Sequence, residues 1–278
     1  MISGRTTLFA VIGSPVSHSL SPAMHNAALA AAGVDGAYVA LPVEPEGLAD
    51  AVKGARALGF GGLNVTVPHK EAVVPLCAAL DLVAERVGAV NTLARHARGW
   101  MGFNTDAPAV RGLLTDAGIG PGSRALLLGA GGAARAALWA LLEMGIEVGV
   151  AARRPEAARA LCQDMARRLR VPESLARPVE WEGLAPRAIH ADAVVNATTV
   201  GLSGKGELPP LAWRAGQVAL DFVYGDTGFA RSARAAGARL VTGEQVLVRQ
   251  GALAFKIWLG HSAPEDVMAR ALERNGGR

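Results

Sequence analysis

RALLLGAGGAARAALW, residues 124–139, decides the fold. A short apolar run ends in glycines at 129, 131 and 132, and an alanine-rich stretch with helical periodicity follows to about residue 144. Gly129 and Gly131 let the backbone turn tightly and approach a pyrophosphate, whose charge then rests on the N–H groups opening the helix. The candidate contacts are Gly129, Ala130, Gly131, Gly132 and Ala133, with Ala134 at the third glycine position of the pattern, an accepted variant. A glycine pattern alone is equally a close-packed strand–helix turn. The strand before it, the helix after it and a further strand at 147–151 complete a βαβ unit, which favours dinucleotide binding.

The end of that next strand is more decisive. An NAD site usually carries an acid about 20 residues beyond the glycines to hold the ribose 2′-hydroxyl. Here the chain reads AARRPEAAR at 151–159, with no acid before Glu156. Arg153 and Arg154 stand where a 2′-phosphate would lie, and a guanidinium fork matches phosphate geometry. A solvated arginine pair is the bland alternative, yet a helix start is electrostatically a poor place for cations. The misfit favours NADP.

Outward from this unit, apolar runs alternate with helical patterns almost throughout. Strands read at 7–12, 37–42 and 62–67, with helices at 22–32 and 45–58 between them, which implies a parallel sheet covered by helices. A second unit starts near residue 104. After 151 come a helix at 155–169, strands at 193–196 and 218–222, and helices near 229–236, 243–259 and 264–274. The one loose, weakly hydrophobic loop is 203–210, and no repeat or linker marks a boundary.

The 278 residues need no disulfide or metal to build a core, since a chain this long buries roughly three quarters of its unfolded surface. Hydrophobic residues at 51% against 19% charged argue against disorder. No apolar run reaches the ~18 residues of a membrane span, and the N-terminus lacks the pattern of a secretory leader, so a soluble, cytoplasmic protein is expected. Two cysteines without CxxC spacing give no zinc site. The net charge of +4 is scattered, which disfavours nucleic acid as a partner. Only four of the 28 basic residues are lysines: Lys53, Lys70, Lys205 and Lys256. Of six asparagines, five (Asn26, Asn64, Asn91, Asn104, Asn196) fall inside motifs, so both residue types run against the trend of the chain where chemistry is expected.

Three polar clusters occupy the N-terminal half. SHSLSPAMHN at 17–26 places Ser19 and Ser21 around a Pro22 helix start, where hydroxyls and N–H groups can hold a carboxylate; ordinary N-capping by Ser21 is the alternative. NVTVPHK at 64–70 ends a strand with Lys70. GAVNT at 88–92 and GFNTDA at 102–107 supply Asn91, Asn104 and Asp106. One lysine, one aspartate and several neutral donors suit a small polyhydroxylated acid. His18, His25 and His69 fit no zinc spacing and no metal is expected. His25 reads as a structural histidine with its hydrogen bonds satisfied, and His18 and His69 as groups behind the site. Late in the chain, NATTVGL at 196–202 follows a strand, DFVYGD at 221–226 puts Tyr224 past another, and Gly243 opens a helix carrying Gln250.

With VIGSPVSHSLSPAMHN, GGLNVTVPHK, GAVNTL, GFNTD, GAGGAARA, NATTVGL, DFVYGD and VRQGALAF in this order, the chain resembles the shikimate dehydrogenase family over essentially its whole length. The resemblance implies an α/β protein of two domains: a discontinuous substrate-binding domain (1–103 and 242–278) and a Rossmann-type NADP-binding domain (104–241). It implies substrate contacts at Ser19, Ser21, Thr66, Lys70, Asn91, Asp106, Tyr224 and Gln250, with Lys70 and Asp106 catalytic. Cofactor contacts are implied at the glycine turn, Arg153, Phe222 and Gly243, with Arg154 adding charge. The implied reaction is reversible reduction of 3-dehydroshikimate to shikimate by NADPH, on the route to chorismate and the aromatic amino acids. The chain departs from the family at Ala152-Arg153-Arg154, where Asn-Arg-Thr is frequent, and at Ala107, where glycine usually follows NTD. Rival readings are an NAD-dependent quinate/shikimate dehydrogenase, a methylenetetrahydrofolate dehydrogenase-like enzyme and a non-catalytic dinucleotide sensor. A homodimer is left open.

Overall fold

The structure is a computed structural model that describes residues 2–202 and 206–274. Residues 203–205 of the expected loop at 203–210, Lys205 among them, lie outside the described residues. The chain divides into two compact units, Met1–Thr105 with Leu247–Arg278, and Asp106–Val246. The crossings thus fall at 105/106 and 246/247, a little beyond the edges placed by motif at 103 and 241.

In the first unit, β1 (Thr7–Gly13), α1 (Ser21–Ala31), β2 (Gly36–Pro42), α2 (Leu48–Ala57) and β3 (Gly62–Val65) alternate as expected. Then come β4 (Ala79–Leu80), α3 (Leu82–Val87), β5 (Thr92–His96) and β6 (Gly99–Phe103). The sheet order is β2-β1-β3-β5-β6-β4. Only its first three strands form the all-parallel sheet read from the sequence. β5 runs antiparallel to β3 and turns back into β6 across Ala97 and Arg98, with His96 paired to Gly99. Neither turn residue carries the Asn-Gly or Asp-Gly signal of a tight hairpin, so the pattern concealed it. The core on one face gathers Ile12, Val52, Leu63, Val65, Leu93 and Trp100.

The second unit begins with α4 (Asp106–Asp116). It continues through β7 (Arg124–Leu128), α5 (Gly132–Glu143), β8 (Glu147–Ala151), α6 (Pro155–Leu169) and β9 (Ala176–Val179). Next come α7 (Ala185–Ala188), β10 (Ala193–Asn196), β11 (Val218–Asp221), α8 (Gly228–Ala235), β12 (Arg239–Val241) and the start of α9 (Gly243–Leu259). Every pairing in its sheet is parallel, in the order β12-β11-β10-β7-β8-β9. The strand order therefore reverses between β7 and β10, the switch point where ligands of doubly wound sheets bind. α5 is apolar nearly all round and buried, whereas α6 is amphipathic and closes at Arg170 in the left-handed region (φ 55).

The later part of α9 and α10 (Glu265–Glu273) return to the first unit, where α10 lies along α1. Trp258 Nε1 donates to the Leu93 carbonyl at 3.0 Å, and a Cβ on Gly62 would stand 2.1 Å from that nitrogen. A Cβ on Gly251 would stand 2.3 Å from Met24 Cε. Both glycines are the condition of this close helix approach.

Candidate active site

In the first unit, the loops after β1 and β3 are tied together. Ser14 N donates to the Val67 carbonyl (3.0 Å) and Thr66 N to that of Ile12 (2.9 Å). A Cβ on Gly13 would meet Thr66 Cγ2 at 2.4 Å, so only glycine lets the strand pass this loop. Lys70, half-buried, ends the same loop, and its carbonyl accepts from Val90 N at 2.7 Å. His69 is buried with Nε2 2.6 Å from the Val43 carbonyl, which pins the residue before Lys70 to the end of β2. His69 thus anchors the loop, whereas His18, read from the sequence as a group behind the site, is exposed.

Next to this loop lies a buried polar chain. Tyr38 hydroxyl donates to Asn64 Oδ1 (2.7 Å), and Asn64 Nδ2 donates to Thr92 Oγ1 (3.1 Å). Asn91 Oδ1 accepts from Thr105 N (2.7 Å), while Asn91 Nδ2 donates to Thr105 Oγ1 (2.9 Å) and to Gln250 Oε1 (3.3 Å). Gln250 Nε2 donates to the Leu247 carbonyl at 2.9 Å. The structure thus brings Asn91 and Gln250 together, and adds Thr105 and Asn64, which the sequence did not single out as contacts. Asn104 turns instead to the Ala89 carbonyl and shapes the loop.

Two expectations need correction here. The N-cap of α1 is Leu20, with no side-chain capping bond, and Ser21 is the first helical residue. The Ser21 hydroxyl is therefore not consumed by capping, whereas Ser19 Oγ accepts from Ser21 N at 3.3 Å. His25 is buried and stacked on Tyr38 (ring centroids 4.4 Å, interplanar 12°), but neither ring nitrogen has a hydrogen-bond partner among the described residues. It is structural but not satisfied, because aromatic rings surround it on this face: Trp258 lies 5.4 Å away as well. Burial pushes its pKa down to about 3.

In the second unit the candidate cofactor residues lie at the carboxyl end of one sheet. Gly129 has φ 116, and a Cβ there would strike the Ala197 carbonyl oxygen at 2.7 Å, so the glycine turn lies against the NATTVGL backbone. Gly131 is the N-cap of α5, exposed, without a side-chain cap, and among the described residues nothing beyond its chain neighbours lies within 4 Å of where its Cβ would be. The first N–H groups of α5 are thus left without a side-chain acceptor, which fits a bound pyrophosphate. β8 is the neighbour of β7, so Arg153 and Arg154 emerge beside this turn. Both are exposed, and their guanidinium groups have no partner among the described residues. Arg154 is the N-cap of α6, whose positive end does not attract a cation.

Asn196 and Asp221 end β10 and β11 and are joined at 2.9 Å. Asp221 also accepts from Val223 N (3.0 Å) and Thr227 Oγ1 (2.6 Å), which curls the loop bearing Phe222 and Tyr224. A Cβ on Gly243 would meet the Val223 carbonyl oxygen at 2.7 Å, and Glu244 accepts from Gly225 N at 2.7 Å. The first turn of α9 therefore braces that loop. Burial raises the Tyr224 pKa, and the carboxylates of Asp106 and Glu244 raise it further, so the phenol remains a proton donor. Asp106 is buried at the start of α4. Glu244 escaped the sequence reading, since an acid in a first helical turn is ordinary.

A doubly wound parallel sheet with an open glycine turn defines a dinucleotide-binding domain, here combined with a discontinuous α/β substrate-binding domain: the architecture of a two-domain dehydrogenase. The family model described as shikimate dehydrogenase substrate binding domain matches residues 11–93, and that of the shikimate 5'-dehydrogenase C-terminal domain matches 243–273. The NADP(+) shikimate dehydrogenase of Anaeromyxobacter sp. (strain K) is 63% identical, with all of both chains covered. The crystal structure of shikimate dehydrogenase from Aquifex aeolicus superposes with a TM-score of 0.86 at 35% identity, covering 98% of this chain and 99% of that one. The Thermus thermophilus enzyme, in complex with NADP(H) and shikimate, gives 0.82 at 39% identity, covering 97% and 99%. The chain belongs to the shikimate dehydrogenase family.

Proposed function

We propose that this protein catalyses the reversible, NADPH-dependent reduction of 3-dehydroshikimate to shikimate in the cytoplasm, on the route to chorismate and the aromatic amino acids. The reading is carried by a cluster in the first unit: Asn91 and Thr105 beside the ends of β5 and β6 and Gln250 on α9 are buried, yet are bonded to one another beside the Lys70 loop. Buried polar groups are retained where they are satisfied and specify something. A small ring with several hydroxyls and a carboxylate matches such donors and acceptors. Ser19 and Ser21 are assigned to the carboxylate. Thr66, Asn91, Tyr224 and Gln250 are assigned to the remaining polar groups.

The glycine turn Gly129–Ala133 is assigned to the cofactor pyrophosphate, Arg153 and Arg154 to its 2′-phosphate, and Phe222 and Gly243 to its nicotinamide end. When bound, the nicotinamide exchanges a hydride with the ring carbon. Lys70 gives its proton to the carbonyl oxygen as negative charge develops there, then regains one from water. In shikimate oxidation its neutral amine removes the hydroxyl proton. Asp106 is the second catalytic group, a carboxylate that stabilises the charged ammonium or accepts from a ring hydroxyl. The partners are small molecules, not nucleic acid or membrane; sedimentation of the purified protein distinguishes monomer from homodimer.

The test is the proton. An arginine keeps the charge of Lys70 but does not release a proton near neutral pH. Lys70→Arg should lower kcat by roughly 10²–10⁴-fold, with KM for shikimate changed far less. In Lys70→Ala the pH dependence of kcat for shikimate oxidation should vanish or move. Near-normal kcat and an unchanged profile in Lys70→Ala would overturn the assignment.

A further inference from the structure

Arg135 sits in the first turn of α5, just after the glycines, and is buried. A buried cation at the positive end of a helix is unfavourable unless something opposes it. What opposes it is Asp164, in the third turn of α6, whose Oδ2 accepts from Arg135 Nη2. The same carboxylate accepts from Arg167 Nη2 and Arg168 Nε, each at 2.8 Å. Arg135 also takes part in the turn itself: its backbone N–H donates to the Gly131 carbonyl at 2.9 Å. One residue therefore joins the pyrophosphate turn to the body of α6.

That connection matters because α6 begins at Pro155, with Arg154 as its N-cap and no capping side chain to fix its start. Asp164 lies roughly 15 Å along the helix axis from Arg154, at ~1.5 Å per residue. The pyrophosphate and the 2′-phosphate belong to one cofactor, so the turn at Gly131 and the pair Arg153–Arg154 have to keep a fixed separation. β7 and β8 set the near end of that separation through the Leu128–Ala151 register and the Gly129 N–H to Ala151 carbonyl bond (2.8 Å). We propose that the Arg135–Asp164 bridge sets the far end, making Asp164 a positioning residue for discrimination between phosphorylated and unphosphorylated dinucleotides. It does so without touching either one. The inference rests on the assignment of Arg153 to the 2′-phosphate.

Binding of NADP+ and of NAD+, measured by calorimetry on the full chain without substrate, tests this. Asp164→Asn should weaken NADP+ by about 3- to 30-fold, the range of couplings carried through packed networks, and NAD+ by less than about 2-fold. Combined with Arg153→Ala, it should add less than about 2-fold to the loss of NADP+ affinity already caused by Arg153→Ala, since both act through one contact. If Asp164→Asn does not fold, Arg135→Lys, which keeps the charge but not the fork, is read in the same way. Equal weakening of both dinucleotides, no weakening of either, or full additivity with Arg153→Ala would overturn the inference. Arg153→Ala read alone separates the two claims. If it leaves NADP+ binding unmoved, the 2′-phosphate assignment falls; if it weakens NADP+ while Asp164→Asn does not, only the bridge does.

Discussion

Two side chains carry most of the argument at the scale of single residues. Arg153 is exposed beside the glycine turn and unpaired among the described residues, so its guanidinium is available to a phosphate. Arg153→Ala should raise the KM for NADP+ by about 10- to 150-fold, the ~1.5–3 kcal/mol of a charge-assisted contact, and change that for NAD+ far less. Steady-state kinetics with each cofactor checks it; equal effects would make the arginine structural. His25 makes a prediction of another kind. Its folded-state pKa of about 3 lies below the ordinary 6.5, so the unfolded chain binds the proton more readily. Its neutral form favours the fold fully above the ordinary value, and that contribution is lost as pH falls toward the folded one, at up to ~1.4 kcal/mol per pH unit. Melting near pH 7 and near pH 5 should show a smaller acid loss in His25→Phe, which keeps the stacking on Tyr38; equal losses would contradict the account. Asn91 and Asn64 were legible as scarce asparagines inside motifs, and Gln250 as a polar residue on the helix that Gly243 opens. Their pairing was not, and Thr105 was not singled out: its bond to Gln250 spans 145 positions, which no local pattern reveals.

Helices and strands were legible in proportion to their length and periodicity. α6 has the bounds that its amphipathic pattern suggested, α9 those of the helix read from Gly243, and β7 the apolar run that ends in the glycine turn. β4 has two residues and β12 three, too few for alternation to register. The β5–β6 hairpin was hidden because Ala97 and Arg98 are not characteristic turn residues. The approach of α9 to β3 was likewise invisible, because it depends on a glycine meeting a tryptophan far along the chain. Gly62→Ala should expose that dependence. The added methyl would overlap Trp258 Nε1, and relieving it must shift the ring that donates to the Leu93 carbonyl. Overpacking of this kind costs about 1–3 kcal/mol, read as a lower urea midpoint at unchanged slope. A midpoint equal to that of the unaltered protein would mean that the ring shifts without penalty.

The whole molecule is two α/β units with one chain crossing twice between them, at 105/106 and within α9. α9 takes part in both assignments: its first turn braces the Tyr224 loop through Gly243 and Glu244, and its later residue Gln250 joins Asn91. Chain continuity through α9 thus links the unit that carries the proposed polar cluster to the unit that carries the proposed glycine-and-arginine turn. The most direct measurement is therefore an initial-rate comparison of the purified protein with shikimate or quinate, each with NADP+ or NAD+, followed by the absorbance of the reduced cofactor. The account predicts turnover that is fastest with shikimate and NADP+, and markedly slower when either is exchanged. No turnover in any combination, or a preference for quinate with NAD+, would contradict it.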